Sequence, residues 1–192
     1  MKEKKLTTKK IVITGVMAAL TVAGSALRIT LPLEIAGTTS FHLGNIMCAL
    51  SGILLGPWLG GLAAGLGSAI YDIMNPLYIS ECWITFLMKG AYGLVTGLIV
   101  AMMTARGTKK LGYGTAIAAT AAGALTYAAL YLSKSYFYSG LFLNGLTADA
   151  ALLTVIGKLP ATTFNALVAV IFAPILAIAI QKALEKNHLS ID

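Results

Sequence analysis

Apolar residues fall into long runs, and the polar breaks between the runs are short. Crossing a bilayer as a helix takes about 20 mostly apolar residues. Six runs qualify as spans: Lys10–Ile29, Leu43–Leu55, Pro57–Met74, Trp83–Thr104, Tyr113–Ser139 and Ala151–Ala183. The second is short and needs tilt or extension by the polar residues before it. Pro57 suits the first turn of the third, where a missing N–H costs nothing. The sixth is expected to break or kink near Pro160 and Pro174. The pattern predicts an all-α membrane protein of one domain over residues 1–192. Residues 1–10 form a basic arm and residues 30–42 an outer lid loop.

Composition agrees. Hydrophobic residues make up 58% and charged residues 11%, against roughly 25% charged in soluble domains. A cleaved leader is not expected, because no small-residue cleavage signal follows the first run. Cys48 and Cys82 make no disulfide framework.

Charge placement adds direction. Ten of the 14 Lys and Arg fall in three clusters: Lys2, Lys4, Lys5, Lys9 and Lys10; Arg106, Lys109 and Lys110; Lys182 and Lys186. Basic flanks mark the cytoplasmic side. With six spans, both termini and the 105–112 loop are then cytoplasmic, and the segments at 30–42, 75–82 and 139–150 face outward. The net charge of +7 thus reports topology and contact with anionic membrane lipid, not nucleic-acid binding. Tyr113 and Trp58 on one side, with Tyr78, Trp83, Tyr136 and Tyr138 on the other, read as interfacial belts.

Four basic residues remain, Arg28, Lys89, Lys134 and Lys158, with the acids Glu34, Asp72, Glu81 and Asp149. A charge inside a membrane is costly and marks function by default. Lys89 either pairs with Asp72 or Glu81 or faces a ligand. Lys134 reads as a snorkelling lysine near a helix end. Asp72 either lines an outer cavity or caps its loop. Trp83, Phe86, Tyr92, Tyr127 and Tyr131 are either packing residues or a stacking wall for a flat ring. Polar residues gather at the outer ends of the last three spans, which predicts a pocket built from the C-terminal half. Its candidate binding residues are Glu81, Trp83, Lys89, Tyr92, Tyr131, Lys158 and Asn165, with Glu34, Phe41 and His42 in the lid.

Small residues recur every four positions at Gly52, Gly56 and Gly60, at Gly61 and Gly65, and at Gly15, Ala19 and Ala23. This spacing lets helix backbones approach closely, within a subunit or against a partner. The glycine-rich run lacks the GK[ST] ending of a phosphate loop. Two histidines, His42 and His188, in no metal-ligand spacing, leave no metal site and no Ser–His–Asp catalysis. No cofactor and no catalytic residue is expected.

The segments "ITGVMAALTVAGSAL" and "FHLGNIMCALSGILLGPWLGGLAAGLGSAIYDIMNP" resemble the substrate-binding S components of energy-coupling factor (ECF) vitamin transporters, riboflavin-type branch. The resemblance implies six spans and no enzymatic activity. It implies capture of a water-soluble vitamin outside, under a lid after the first span. It implies partnership with a transmembrane T component and two cytoplasmic ATPases, in a prokaryotic cell membrane. The first-span stripe matches the family's Ala-x-x-x-Ala docking motif at Ala19 and Ala23, with Gly15 beside them. Pyridoxine, hydroxymethylpyrimidine and riboflavin suit the aromatic set; the carboxylate of pantothenate suits the lysines. Two other classes stay open: a membrane enzyme acting on a lipid or isoprenoid through Lys89, Asp72 and Glu81, and a self-sufficient carrier.

Overall fold

The computed structural model describes residues 7–33, 38–104, 110–187 and 189. Most of the expected basic arm, Glu34, Arg106, Lys109 and His188 lie outside the described residues.

Helix α1 (Thr8–Ala26) leads into a two-stranded antiparallel hairpin, β1 (Arg28–Pro32) and β2 (Thr38–His42), and then α2 (Gly44–Ile73). A 3₁₀ turn (Ile79–Glu81) precedes α3 (Cys82–Met103). Helix α4 (Tyr113–Ser133) runs on into a π-helical segment (Lys134–Leu143), and α5 (Ala148–Lys186) closes the chain. Thr7 and Thr147 cap α1 and α5, each side-chain oxygen accepting from the N–H three residues on, which satisfies one orphan donor of each first turn.

Many large apolar residues face outward, around a core that is largely alanine. Ile11, Val12, Leu98, Met102, Leu167 and Ile171 are all exposed on the bundle surface. The buried set includes Asn45, Asp72, Lys89, Lys158 and Asn165. That inversion is what lipid as solvent demands. Hydroxyls within the helices satisfy themselves: Thr14, Thr21, Ser51, Thr96, Thr126, Thr154 and Thr162 each donate to the carbonyl one turn back.

Five helical elements among the described residues are long and apolar enough to cross a membrane, not six. The runs expected as the second and third spans form one element, α2, bent at Gly56. There φ is 77° and ψ −173°, a conformation that needs glycine. Pro57 then opens the second half. The bend is a reversal. Cys48 Sγ lies 3.7 Å from Ser68 Oγ, whereas twenty residues of straight helix would separate them by about 30 Å.

The glycine stripes of α2 are consumed inside the chain. A Cβ on Gly93 would sit 2.7 Å from the Gly60 carbonyl oxygen, one on Gly61 2.9 Å from that of Gly90, and one on Gly65 2.8 Å from that of Phe86. Backbone therefore touches backbone between α2 and α3, the close approach that small residues permit in lipid.

Three other expectations change. The fold is not purely helical, because residues expected as a lid loop pair as β1–β2, Arg28 opposite His42 and Pro32 opposite Thr38. The fifth helical run extends to Leu143, so the expected outer loop at 139–150 shrinks to 144–147. Helix α5 runs unbroken through Pro160 and Pro174, with no non-helical residue at either.

Candidate functional site

A cavity of about 290 Å³ lies beneath the hairpin, near the lower end of the range for small-molecule sites. It draws on both halves of the chain. Arg28, Ser40 and His42 come from the hairpin, Asn45, Ser68 and Asp72 from α2, Lys89 from α3, Tyr127 and Tyr131 from α4, Lys134 and Ser139 from the π-helical segment, and Lys158 and Asn165 from α5. A pocket built only from the C-terminal half is therefore corrected.

Asn165, His42 and the cavity's lysines each find a partner within the fold. Asn165 is 6% exposed and pairs with the outer edge of β2. Its Oδ1 accepts from the His42 N–H at 3.0 Å and its Nδ2 donates to the Ser40 carbonyl at 2.7 Å. A side-chain amide thus continues the ladder that β1 begins and straps the hairpin to α5. Phe41 on the same strand packs edge-on against Phe164, ring centroids 5.0 Å apart. His42 Nδ1 accepts from the Gly44 N–H at 3.2 Å. Burial, then the charges of Lys89 and Arg28, hold the His42 imidazole well below its usual pKa.

The lysines differ from expectation. Lys89 pairs with neither Asp72 nor Glu81. Its Nζ donates to Asn45 Oδ1 and sits 3.8 Å from the centroid of the Tyr127 ring. Lys158 Nζ donates to Ser135 Oγ at 3.1 Å and lies 5.4 Å from the Tyr131 centroid. Lys134 does not snorkel. It forms a 2.5 Å ion pair with Glu81, and Ser139 donates to the same carboxylate. Arg28 lies over the rings of Tyr71 and Tyr78, at 4.2 and 4.9 Å. Tyr78 therefore belongs to the cavity wall rather than to an interfacial belt.

Of the expected binding residues, Glu81, Lys89, Tyr131, Lys158 and Asn165 meet at the cavity, as does His42 of the lid. Trp83 and Tyr92 do not. Trp83 is 56% exposed and packs against Tyr138. Tyr92 is fully buried behind the wall, stacked on Tyr127. Phe41 lies outside the lining as well. The aromatic wall is Tyr127 and Tyr131, stacked at 5.7 Å, with a lysine over each ring. Arg28, Asn45, Tyr78 and Ser135 are lining or supporting residues that the sequence reading did not select. Arg28 carried a signal, as a charge beside an apolar run. Asn45 and Ser135 carried none.

On α1, Gly15, Ala19 and Ala23 form one exposed stripe, and a Cβ on Gly15 would meet nothing within 4 Å. Ala18 and Gly24, beside them, are buried.

The family model for the ECF-type riboflavin transporter S component matches residues 5–182. The chain belongs to this family. The S component is the substrate-binding subunit of an ECF transporter, a multi-pass prokaryotic membrane protein and not an enzyme, so the lipid-active enzyme falls away. The fold matches the crystal structure of the S component for biotin from an ECF-type ABC transporter. The TM-score is 0.62 at 13% identity, covering 90% of this chain and 94% of that one. An uncharacterized protein of Pyrococcus woesei is 32% identical over 122 residues, 64% of this chain and 74% of that protein. A UPF0397 protein of Streptococcus gordonii is 36% identical over 93 residues. The match spans about half the length of that relative, 47%, and 48% of this chain.

Proposed function

We propose that this S component captures a small water-soluble vitamin or vitamin precursor from outside the cell and delivers it inward with a transmembrane T component and two ATPases. The carrying observation is the cavity itself. A lipid-facing bundle has turned nearly all its buried charge toward one small space, beneath a hairpin strapped down by Asn165. Unpaired charge in a membrane is expensive, and a bound polar solute offsets that cost.

The hairpin is the lid. Six crossings are the proposed topology, with the halves of α2 on either side of Gly56 as separate spans and both termini cytoplasmic. The reversal at Gly56 and the basic clusters support this arrangement. The exposed Gly15, Ala19 and Ala23 stripe is the docking face for the T component. Pyridoxine, hydroxymethylpyrimidine, pantothenate and a riboflavin-like solute are the candidates.

The test is mass spectrometry of small molecules released from purified, denatured protein, which should find a vitamin or its precursor. Co-purification with the T component and ATPases should be lost in Ala19→Leu and Ala23→Leu. Complexes that survive both changes would place docking elsewhere.

A further inference from the structure

The cavity's charges do not cancel. Among the described residues four cations line it, Arg28, Lys89, Lys134 and Lys158, against two acids, Asp72 and Glu81. Lys134 and Glu81 neutralise one another. Among the described residues no carboxylate lies within 4 Å of Arg28, Lys89 or Lys158. Among the described lining residues Asp72 is the one further acid set against those three. Two of the three, Lys89 at 4% and Lys158 at 6% exposure, are buried.

Their partners within the fold are weak substitutes for a counter-ion. Lys89 has one amide oxygen and one ring face; Lys158 has one hydroxyl and one ring face at longer range. An ammonium offers three donors, and among the described residues each of the two lysines makes one hydrogen bond. A buried ammonium without an anion is strongly disfavoured. Both stand on one wall, over adjacent rings of the Tyr127–Tyr131 stack. That placement also covers the ring faces that a flat neutral ligand would use.

Resting on the vitamin-binding reading above, we propose that the ligand carries an anionic group, a carboxylate or a phosphate, which docks against Lys89 and Lys158 and completes their coordination. Lys89 and Lys158 are then the specificity-determining residues. They select charged solutes over neutral ones of the same skeleton, because a neutral ligand would leave both ammoniums uncompensated.

The experiment is equilibrium binding at pH 7.5 to the purified full chain, with two matched probe pairs: pantothenate with pantothenol, and pyridoxal 5′-phosphate with pyridoxine. The anionic member of at least one pair should bind at least tenfold more tightly than its neutral partner. Which pair shows the preference separates a carboxylate from a phosphate. Lys158→Met, which loses the Ser135 hydroxyl contact and the 5.4 Å approach to the Tyr131 ring, and Lys89→Met should each reduce the preference at least tenfold, and Lys158→Arg should keep most of it. Should Lys89→Met fail to fold, Lys158→Met decides. Neutral probes bound as tightly as anionic ones, or a preference untouched by Lys158→Met, would overturn the proposal. So would a neutral or cationic molecule released from the native protein. A protein that releases nothing and binds no probe refutes the vitamin-binding reading first, and the anion proposal falls with it.

Discussion

Asn165→Leu should loosen the lid without unfolding the bundle. The substitution keeps the side chain's approximate volume and removes both bonds to β2, at 3.0 Å from His42 and 2.7 Å to Ser40. Each bond is worth about 1 kcal/mol net. Losing both costs the closed hairpin about 2 kcal/mol, roughly a thirtyfold rise in the open population. Two strands alone are marginal in water, so this shift falls on a weakly held element. The helices keep their backbone contacts. Hydrogen exchange in detergent is the assay. The amides of Thr38–His42 should exchange about thirtyfold faster in the variant, while those of the α2–α3 interface stay at the wild-type rate. Unchanged protection at His42 would refute the strap. Equal acceleration in α2 and α3 would show that Asn165 supports the whole bundle instead.

Three further outcomes are expected. Gly93→Leu should lower the melting temperature sharply or prevent folding, because even a Cβ there meets the Gly60 carbonyl at 2.7 Å and overpacking typically costs about 1–3 kcal/mol or more; Gly15→Ala, with open space around it, should melt like the wild type. His42 is held neutral by burial and by Lys89 and Arg28. Its folded pKa lies below the unfolded value, so its contribution is complete above about pH 6.5 and falls with acidification by up to about 1.4 kcal/mol per pH unit; melting at pH 7.5 and 5.5 should show an acid loss that His42→Gln reduces. Glu81→Gln should destabilise by about 1–3 kcal/mol by leaving Lys134 without its anion, and the double variant Glu81→Gln with Lys134→Met should recover part of this loss in a double-mutant cycle. Additive single losses would argue that the pair is not coupled.

Much of this protein was legible along one dimension. Apolar run length gave the membrane class, because bilayer thickness sets a length that a single helix must reach. Polar residues inside those runs marked Lys89, Lys158 and Asn165 as candidates, because lipid penalises each of them individually, and the structure brings all three to one cavity. The Gly56–Pro57 break was readable too, since a positive φ needs glycine and a helix start tolerates proline. What faces what was not legible. A helical period places Tyr92 and Trp83 on faces, and only packing decided that one was buried in the core and the other exposed. Lys134 and Glu81 stand 53 positions apart in the sequence, and a pairing of that reach depends on how α3 and α4 lean together. The hairpin's attachment to α5 depends likewise on an amide 125 residues from Ser40. Span length and burial cost act on each residue alone and are written in the chain; ion pairs, the strap and the cavity's unbalanced charge are relations between distant segments, and they exist only once the helices have packed.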